Sequence, residues 1–258
     1  MTALIFDCET GPLPDDQLEQ IFEYDETKVP GYRLLGKEFD PSSVKTGNTK
    51  DPAKKEAKIE EIRKKFLADQ EAAQVAFANG RTVAWEEFKS RAALSAVTGR
   101  LLATGFYCDA WEHPMTVCSE PEETDVLRMT LETIESFLAK GLKVVGHNII
   151  NFDIPFLVRR AWFYDIKVPL VIINEIQTYR SLKLIDTLRE WNFASRSTSE
   201  CGKIDYIAKY FGVGAKNGSG ADFHKLFFGT PEQREQAIDY LINDVQMTRN
   251  VAAKMNLI

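Results

Sequence analysis

The chain has 258 residues, enough for one large domain or two small ones and for a substantial core. Its 44 % apolar share and mixed charges belong to a globular protein, and a net charge of −6 argues against a passive, tight binder of duplex DNA, which would neutralise many phosphates with Lys and Arg. An enzyme that handles one strand end and carries its own cations stays open. The longest apolar run, Val168 to Ile173, is far too short for a membrane span and contains Pro169. The N-terminus lacks the basic and apolar regions of a secretory signal. Cys8, Cys108, Cys118 and Cys201 are scattered, which suits reduced thiols better than a disulfide framework or a zinc site. A cytoplasmic protein with no membrane partner is the expectation.

Ala3 to Thr10 opens with four apolar residues and reads as a buried strand. Gly11-Pro12-Leu13-Pro14 should break it. From about residue 15 to 95 the composition turns polar, with Lys45, Lys50, Lys54, Lys55, Lys58, Lys64 and Lys65 interleaved with acids. Asp51 as N-cap and Pro52 at the first helical position start a long helix there, striped by Ile59, Ile62 and Phe66. Its lysines read as a solvated face, with guidance of a nucleic acid as the sharper alternative. Leu101 to Tyr107 and Met115 to Cys118 predict two strands joined by a turn near Ala110 to Pro114. Glu122 to Lys140 predicts a helix with Leu127, Leu131, Ile134 and Leu138 on one face, closed by Gly141. Lys143 to His147 is a short strand, 151 to 166 a helix, and Val168 to Ile173 irregular or extended. Leu182 to Ile185 is a strand or loop ending at Asp186. Lys203 to Phe211 is helical, Gly212 to Gly220 a flexible connector, and Pro231 to Met255 a long final helix. Strands first, then strand alternating with helix, imply a mixed sheet flanked by helices.

Three segments place carboxylates in odd company. Asp7 and Glu9 are two apart on a strand, so both point to one face, where they repel unless a proton or cation lies between them; taken alone they read equally well as acids at the rim of a strand that runs out into solvent. Asp153 sits in the nearly apolar stretch Asn148 to Leu157, either as a plain helix cap or as part of a site. Tyr240 and Asp244 are four apart on the last helix and present side by side. His147 reads as a hydrogen-bonded strand end. Asp186 is either a turn cap or a substrate contact. Arg159, Arg160, Arg180 and Lys183 read by default as solvated surface residues and are otherwise the best candidates for a local positive groove.

Taken in order, Asp-x-Glu, Asn-x-x-x-Phe-Asp and Tyr-x-x-x-Asp resemble the DEDD superfamily of 3′–5′ exonucleases. Asp239 stands where the histidine branch has His, so the resemblance is to the tyrosine branch, and within it to the proofreading domain of family B DNA polymerases. It covers residues 1–14 and about 96–255. It implies an α/β, ribonuclease H-like fold: a mixed five-stranded sheet flanked by helices, in a single exonuclease domain over 1–258. The segment at about 15–95 is then a largely helical insertion after the first strand, longer than the family's usual connection. The implied activity is hydrolysis of single-stranded DNA from its 3′ end, releasing nucleoside 5′-monophosphates, with an exoribonuclease as the neighbouring alternative. Two divalent cations, Mg²⁺ or Mn²⁺, roughly 3.5–4 Å apart, would stabilise the attacking and leaving oxygens. By this analogy Asp7, Glu9, Asp153 and Asp244 hold the metals, and Tyr240 orients the attacking water. Thr10, Asn148 and Phe152 contact the terminal nucleotide. The chain ends with the third motif, so it is expected to act alone or beside a polymerase or another replication or repair protein. A catalytically idle end-binding module, the reading from another class, would be expected to have lost one of these carboxylates, and none is replaced.

Overall fold

Strand β1, Ala3–Pro12, runs two residues beyond the expected break, because Gly11 and Pro12 still pair with Arg100 and Gly99 at the sheet's end. The computed structural model describes residues 3–47, 51–178, 181–193 and 202–258; Arg180 and Cys201 lie outside these. The chain divides into two compact units, one containing the residues up to Pro14 together with Ala92–Ile258, the other Asp15–Arg91. Among the described residues no helix is long and apolar enough to cross a membrane.

The second unit consists of helix α1 (Asp15–Ile21), three single 3₁₀ turns and helix α2 (Pro52–Ala92), which continues to the unit boundary. Asp51 caps α2 as expected, its carboxylate accepting from the Ala53 amide at 3.0 Å. At 41 residues α2 is far longer than a typical globular helix. Aromatic contacts secure it: Phe22 meets Trp85 and Phe88 at 5.1 and 5.2 Å, and Phe39 meets Phe66 at 5.7 Å. Gly31, in the left-handed region at φ +78°, lies where a Cβ would stand 2.6 Å from that of Ala73. That close approach is open only to glycine.

The first unit is a five-stranded mixed sheet with helices on both faces. Strands β2 (Gly99–Tyr107), β3 (Met115–Cys118), β4 (Lys143–Gly146) and β5 (Leu184–Asp186) join β1 in the order β3-β2-β1-β4-β5. The first three are antiparallel, while β4 and β5 run parallel to β1. Among the described residues seven helices accompany them: α3 (Glu123–Ala139), α4 (Asp153–Phe163), α5 (Leu170–Gln177), α6 (Thr187–Trp191), α7 (Ile204–Phe211), α8 (Gly220–Phe227) and α9 (Pro231–Lys254). Helix α5 corrects the irregular or extended expectation for Val168 to Ile173. Pro169 is the residue before the first helical one, where its fixed φ starts a helix instead of breaking it. Helix α8 also went unforeseen; Ser219 caps it by accepting from the Ala221 amide.

Period 2 along β1 builds both cores. Leu4, Phe6 and Cys8 join the core that holds α3 and α4, whereas Ala3 and Ile5 join Phe223, Phe227, Tyr240, Leu241 and Val245 from α8 and α9. Asp7 and Glu9 share the parity of Ile5 and therefore face α9. Gly105 is paired with Asp7, and a Cβ there would stand 2.8 Å from Val245 Cγ2 and 3.0 Å from Leu241 Cγ. The missing side chain lets α9 lie directly against the sheet beside the acids.

Arg160 is buried, which corrects its place among the groove candidates. Its guanidinium donates to both Glu123 oxygens, at 2.8 and 2.6 Å, and to Ala96 O, while Glu123 also accepts from the Leu101 amide and the Tyr164 hydroxyl. One satisfied ion pair thus ties α3 and α4 to β2. Lys183 pairs with Glu175 at 3.1 Å, and Arg159 is exposed.

Candidate metal centre

Strand β1 supplies two carboxylates and α9 one. Asp7, Glu9 and Asp244 each offer an oxygen, and these atoms all lie within 4.8 Å of one another. Asp7 is half-buried; Glu9 and Asp244 are buried. Asp153 begins α4 and borders this cluster. It is the first helical residue and not its cap, since Phe152 holds the cap position without a side-chain hydrogen bond. The reach of Asp153 is to another element: Oδ1 accepts from the Cys8 amide at 3.2 Å. β4 pairs with β1 only as far as Ile5, so beyond that point the β1 edge is open and Asp153 satisfies one of its donors.

The electrostatics follow from this crowding. Burial, then the charges of Asp153, Glu9 and Asp244, push the Asp7 carboxyl well above its ordinary value; the Lys216 ammonium pulls the other way. Glu9 is raised by burial and then by Asp244. Asp153 is pushed up to about 7, chiefly by burial, against the hydrogen bond from Cys8. Tyr240 is raised by burial and by the Asp244 charge, so its hydroxyl keeps its proton at neutral pH. Asp244 Oδ1 is buried and has no hydrogen-bond partner among the described residues. A buried carboxylate oxygen left bare, amid carboxyls that resist ionising together, is the environment a divalent cation would complete. The donor set, all oxygen, suits a hard ion.

Lys216 reaches the centre although nothing in its local sequence marks it. Its ammonium donates to Asp244 Oδ2 at 2.9 Å and to the Tyr240 hydroxyl at 2.5 Å. The Gly212–Gly220 loop that carries it is therefore no loose connector. Asn250 Nδ2 donates to Val213 O, Asn243 Nδ2 to Ala215 O, and the Lys216 amide to Asp205 Oδ1, stitching the loop along α9 and α7. Gly218 is required for this path: a Cβ there would stand 2.9 Å from Tyr240 Cδ2. A lysine in a glycine-rich loop ahead of α8 is by itself no signal for such a contact.

Of the three residues expected to contact a terminal nucleotide, Asn148 lines a cleft of about 590 Å³ together with His147, Tyr206, Lys216 and Gly218, whereas Thr10 and Phe152 are not part of that lining. Asn148 adopts φ +65°, with its amide donating to Asp186 Oδ1 at 2.8 Å. Asp186 itself is committed to structure, accepting also from the Ile150, Leu188 and Arg189 amides. His147 Nδ1 lies 2.8 Å from Thr187 Oγ1 and Nε2 lies 2.9 Å from Gly202 O, so the carbonyl assigns the proton to Nε2. Burial holds its pKa below the usual histidine value. Phe152 is half-buried against the core and meets Phe156 at 5.8 Å. Thr10 Oγ1 donates to Ala93 O at 2.7 Å.

No family model and no curated protein matches the chain. Among solved structures it is similar to the family B DNA polymerase of the hyperthermophilic archaeon Pyrobaculum calidifontis, at 18 % identity and a TM-score of 0.49. The match covers 66 % of this chain and 23 % of that one, so this chain spans about a quarter of the polymerase's length.

Proposed function

We propose that this chain is a metal-dependent 3′–5′ exonuclease of the DEDD type, tyrosine branch, built on a ribonuclease H-like sheet and acting on single-stranded DNA. The observation that carries the reading is the meeting of Asp7, Glu9 and Asp244, from opposite ends of the chain, where Asp244 leaves a buried oxygen with no partner among the described residues. In this reading Asp7, Glu9 and Asp244 hold divalent cations, with Asp153 supporting them. When bound, such ions stabilise the charge on the attacking and leaving oxygens of a phosphodiester.

The chain's own residues do the rest. Protonated Tyr240 accepts from Lys216 and is left with a hydroxyl hydrogen to orient a water molecule; it acts as a positioning group and not as a base. Lys216 places a positive charge beside the reacting phosphate. Asn148, on the cleft wall, is suited to hydrogen-bond the terminal nucleotide; for Phe152 and Thr10 a nucleotide contact rests on the resemblance alone. A cleft of about 590 Å³ has the volume of a small-ligand site.

The test is direct. Single-stranded DNA, RNA and duplex, each labelled at the 5′ end, are incubated with Mn²⁺ or with chelator. The proposal expects a ladder shortening from the 3′ end of single-stranded DNA, absent with chelator and in Asp7→Ala. No cleavage with any divalent ion, or a ladder that persists in Asp7→Ala, would sink it; a ladder on RNA alone would transfer the reading to an exoribonuclease.

A further inference from the structure

The hydrolytic reading uses the carboxylates that Lys216 joins to the cleft and leaves one face of α7 without a role. Tyr206 and Tyr210 lie on it, 50 % and 75 % exposed. Four residues apart on a helix, they share a side and are separated by about 6 Å along the axis. They do not serve the core, which α7 meets through Ile204, Ile207 and Ala208. Tyr206 lines the same cleft as Lys216. Tyr210 is braced from behind by Trp191, edge-on with ring centroids 5.7 Å apart, and by Phe211 at 5.3 Å. Ammonium groups accompany the rings: Lys203 Nζ lies 6.0 Å from the Tyr206 ring centroid, and Lys209 stands between the two tyrosines in sequence, paired with Asp205 at 2.7 Å.

Two exposed flat rings, the outer one braced by aromatic neighbours and both accompanied by ammonium groups, lead away from a cleft that Lys216 also lines. A peptide or lipid partner would call for a continuous apolar surface, which Lys203 and Lys209 interrupt. A single-stranded polynucleotide presents the matching alternation of flat base and anionic phosphate. We propose that α7 is a base-stacking platform for a single-stranded polynucleotide whose end enters the cleft, Tyr206 taking a base near the cleft and Tyr210 the one beyond it. The direction of the strand rests on the exonuclease reading; the stacking does not.

The test measures binding in chelator, where no hydrolysis intervenes. Fluorescence anisotropy compares labelled oligo-dT, oligo-U, an abasic strand of the same length and a duplex. The Tyr206→Ala/Tyr210→Ala double substitution is expected to weaken oligo-dT and oligo-U binding by on the order of ten-fold per ring. Binding of the abasic strand should stay within about two-fold, because it keeps the phosphates and lacks the bases. Tyr206→Phe/Tyr210→Phe should restore binding, and an unchanged urea midpoint verifies the fold of each variant. The platform is overturned if the Ala substitutions leave the base-bearing strands unaffected, if they weaken abasic strand or duplex equally, or if the parent protein fails to bind single strands. Ring-dependent binding without a hydrolysis ladder supports the platform and sinks the nuclease; a ladder with ring-independent binding does the reverse.

Discussion

Asp7 sits where β1 and α9 both contribute acids, and its carboxyl is held above its ordinary range by burial and three like charges. Asp7→Asn keeps the shape and removes one charge from the crowd. We expect the metal-free variant to melt above the parent, since the repulsion is relieved. We also expect it to lose stabilisation by Mn²⁺, which in the parent should reach about 2.7 kcal/mol at a hundred-fold excess over Kd. Thermal melts with and without Mn²⁺ read both effects, and a parent indifferent to divalent ions would contradict the metal centre. His147 offers a separate check. Its folded pKa lies below the ordinary value of about 6.5, so below that pH the unfolded state binds the proton more readily and stability falls as pH drops. Nearby carboxyls with raised pKa values act in the opposite direction. The contribution of His147 is therefore the difference between parent and His147→Gln in urea midpoints at pH 7 and pH 5. The parent should lose more, or gain less, over that interval than the variant.

Helix α9 brings Tyr240 and Asp244 to the sheet because Gly105 leaves room for Leu241 and Val245. Gly105→Val would put branched carbons into that contact, at a cost of about 1–3 kcal/mol for overpacking. The helix must then move away from β2, which separates Asp244 from Asp7 and Glu9. A urea midpoint lowered by that amount, with stabilisation by Mn²⁺ weakened at least ten-fold in apparent Kd, is the expected result. A destabilised variant that binds Mn²⁺ like the parent would mean that α9 does not set the spacing of the acids. The elements themselves were largely legible in the residues: β1 from its apolar run, α3 from its stripe and α9 from its length. Helix α5 was not, because Pro169 reads as a breaker in isolation and works as a starter when it precedes the first turn.

At the scale of the molecule, Asp15–Arg91 has aromatic contacts of its own, while the sheet unit has separate cores on its two faces. The chain leaves and re-enters the sheet at one place: Pro12 pairs with Gly99, and the Leu13 amide donates to Thr98 O at 2.9 Å. Ends held so close can be joined by a short linker at small entropic cost. Replacing residues 15–91 by a few glycines and serines should therefore leave a cooperatively melting protein still stabilised by Mn²⁺. Loss of cooperative melting would show the sheet unit to depend on the segment.

The residues alone determined which segments carry the acids and how each presents them. Alternation put Asp7 and Glu9 on one face of a strand, and helical spacing put Tyr240 beside Asp244, because both are local consequences of backbone period. Tertiary structure alone decided that these acids meet, that Asp153 serves the open edge of β1, that Arg160 is buried against Glu123, and that Lys216 reaches Asp244. Each of those facts joins residues tens to hundreds of positions apart. Such contacts depend on how whole elements pack, above all on a glycine that admits a helix, and no local pattern encodes them.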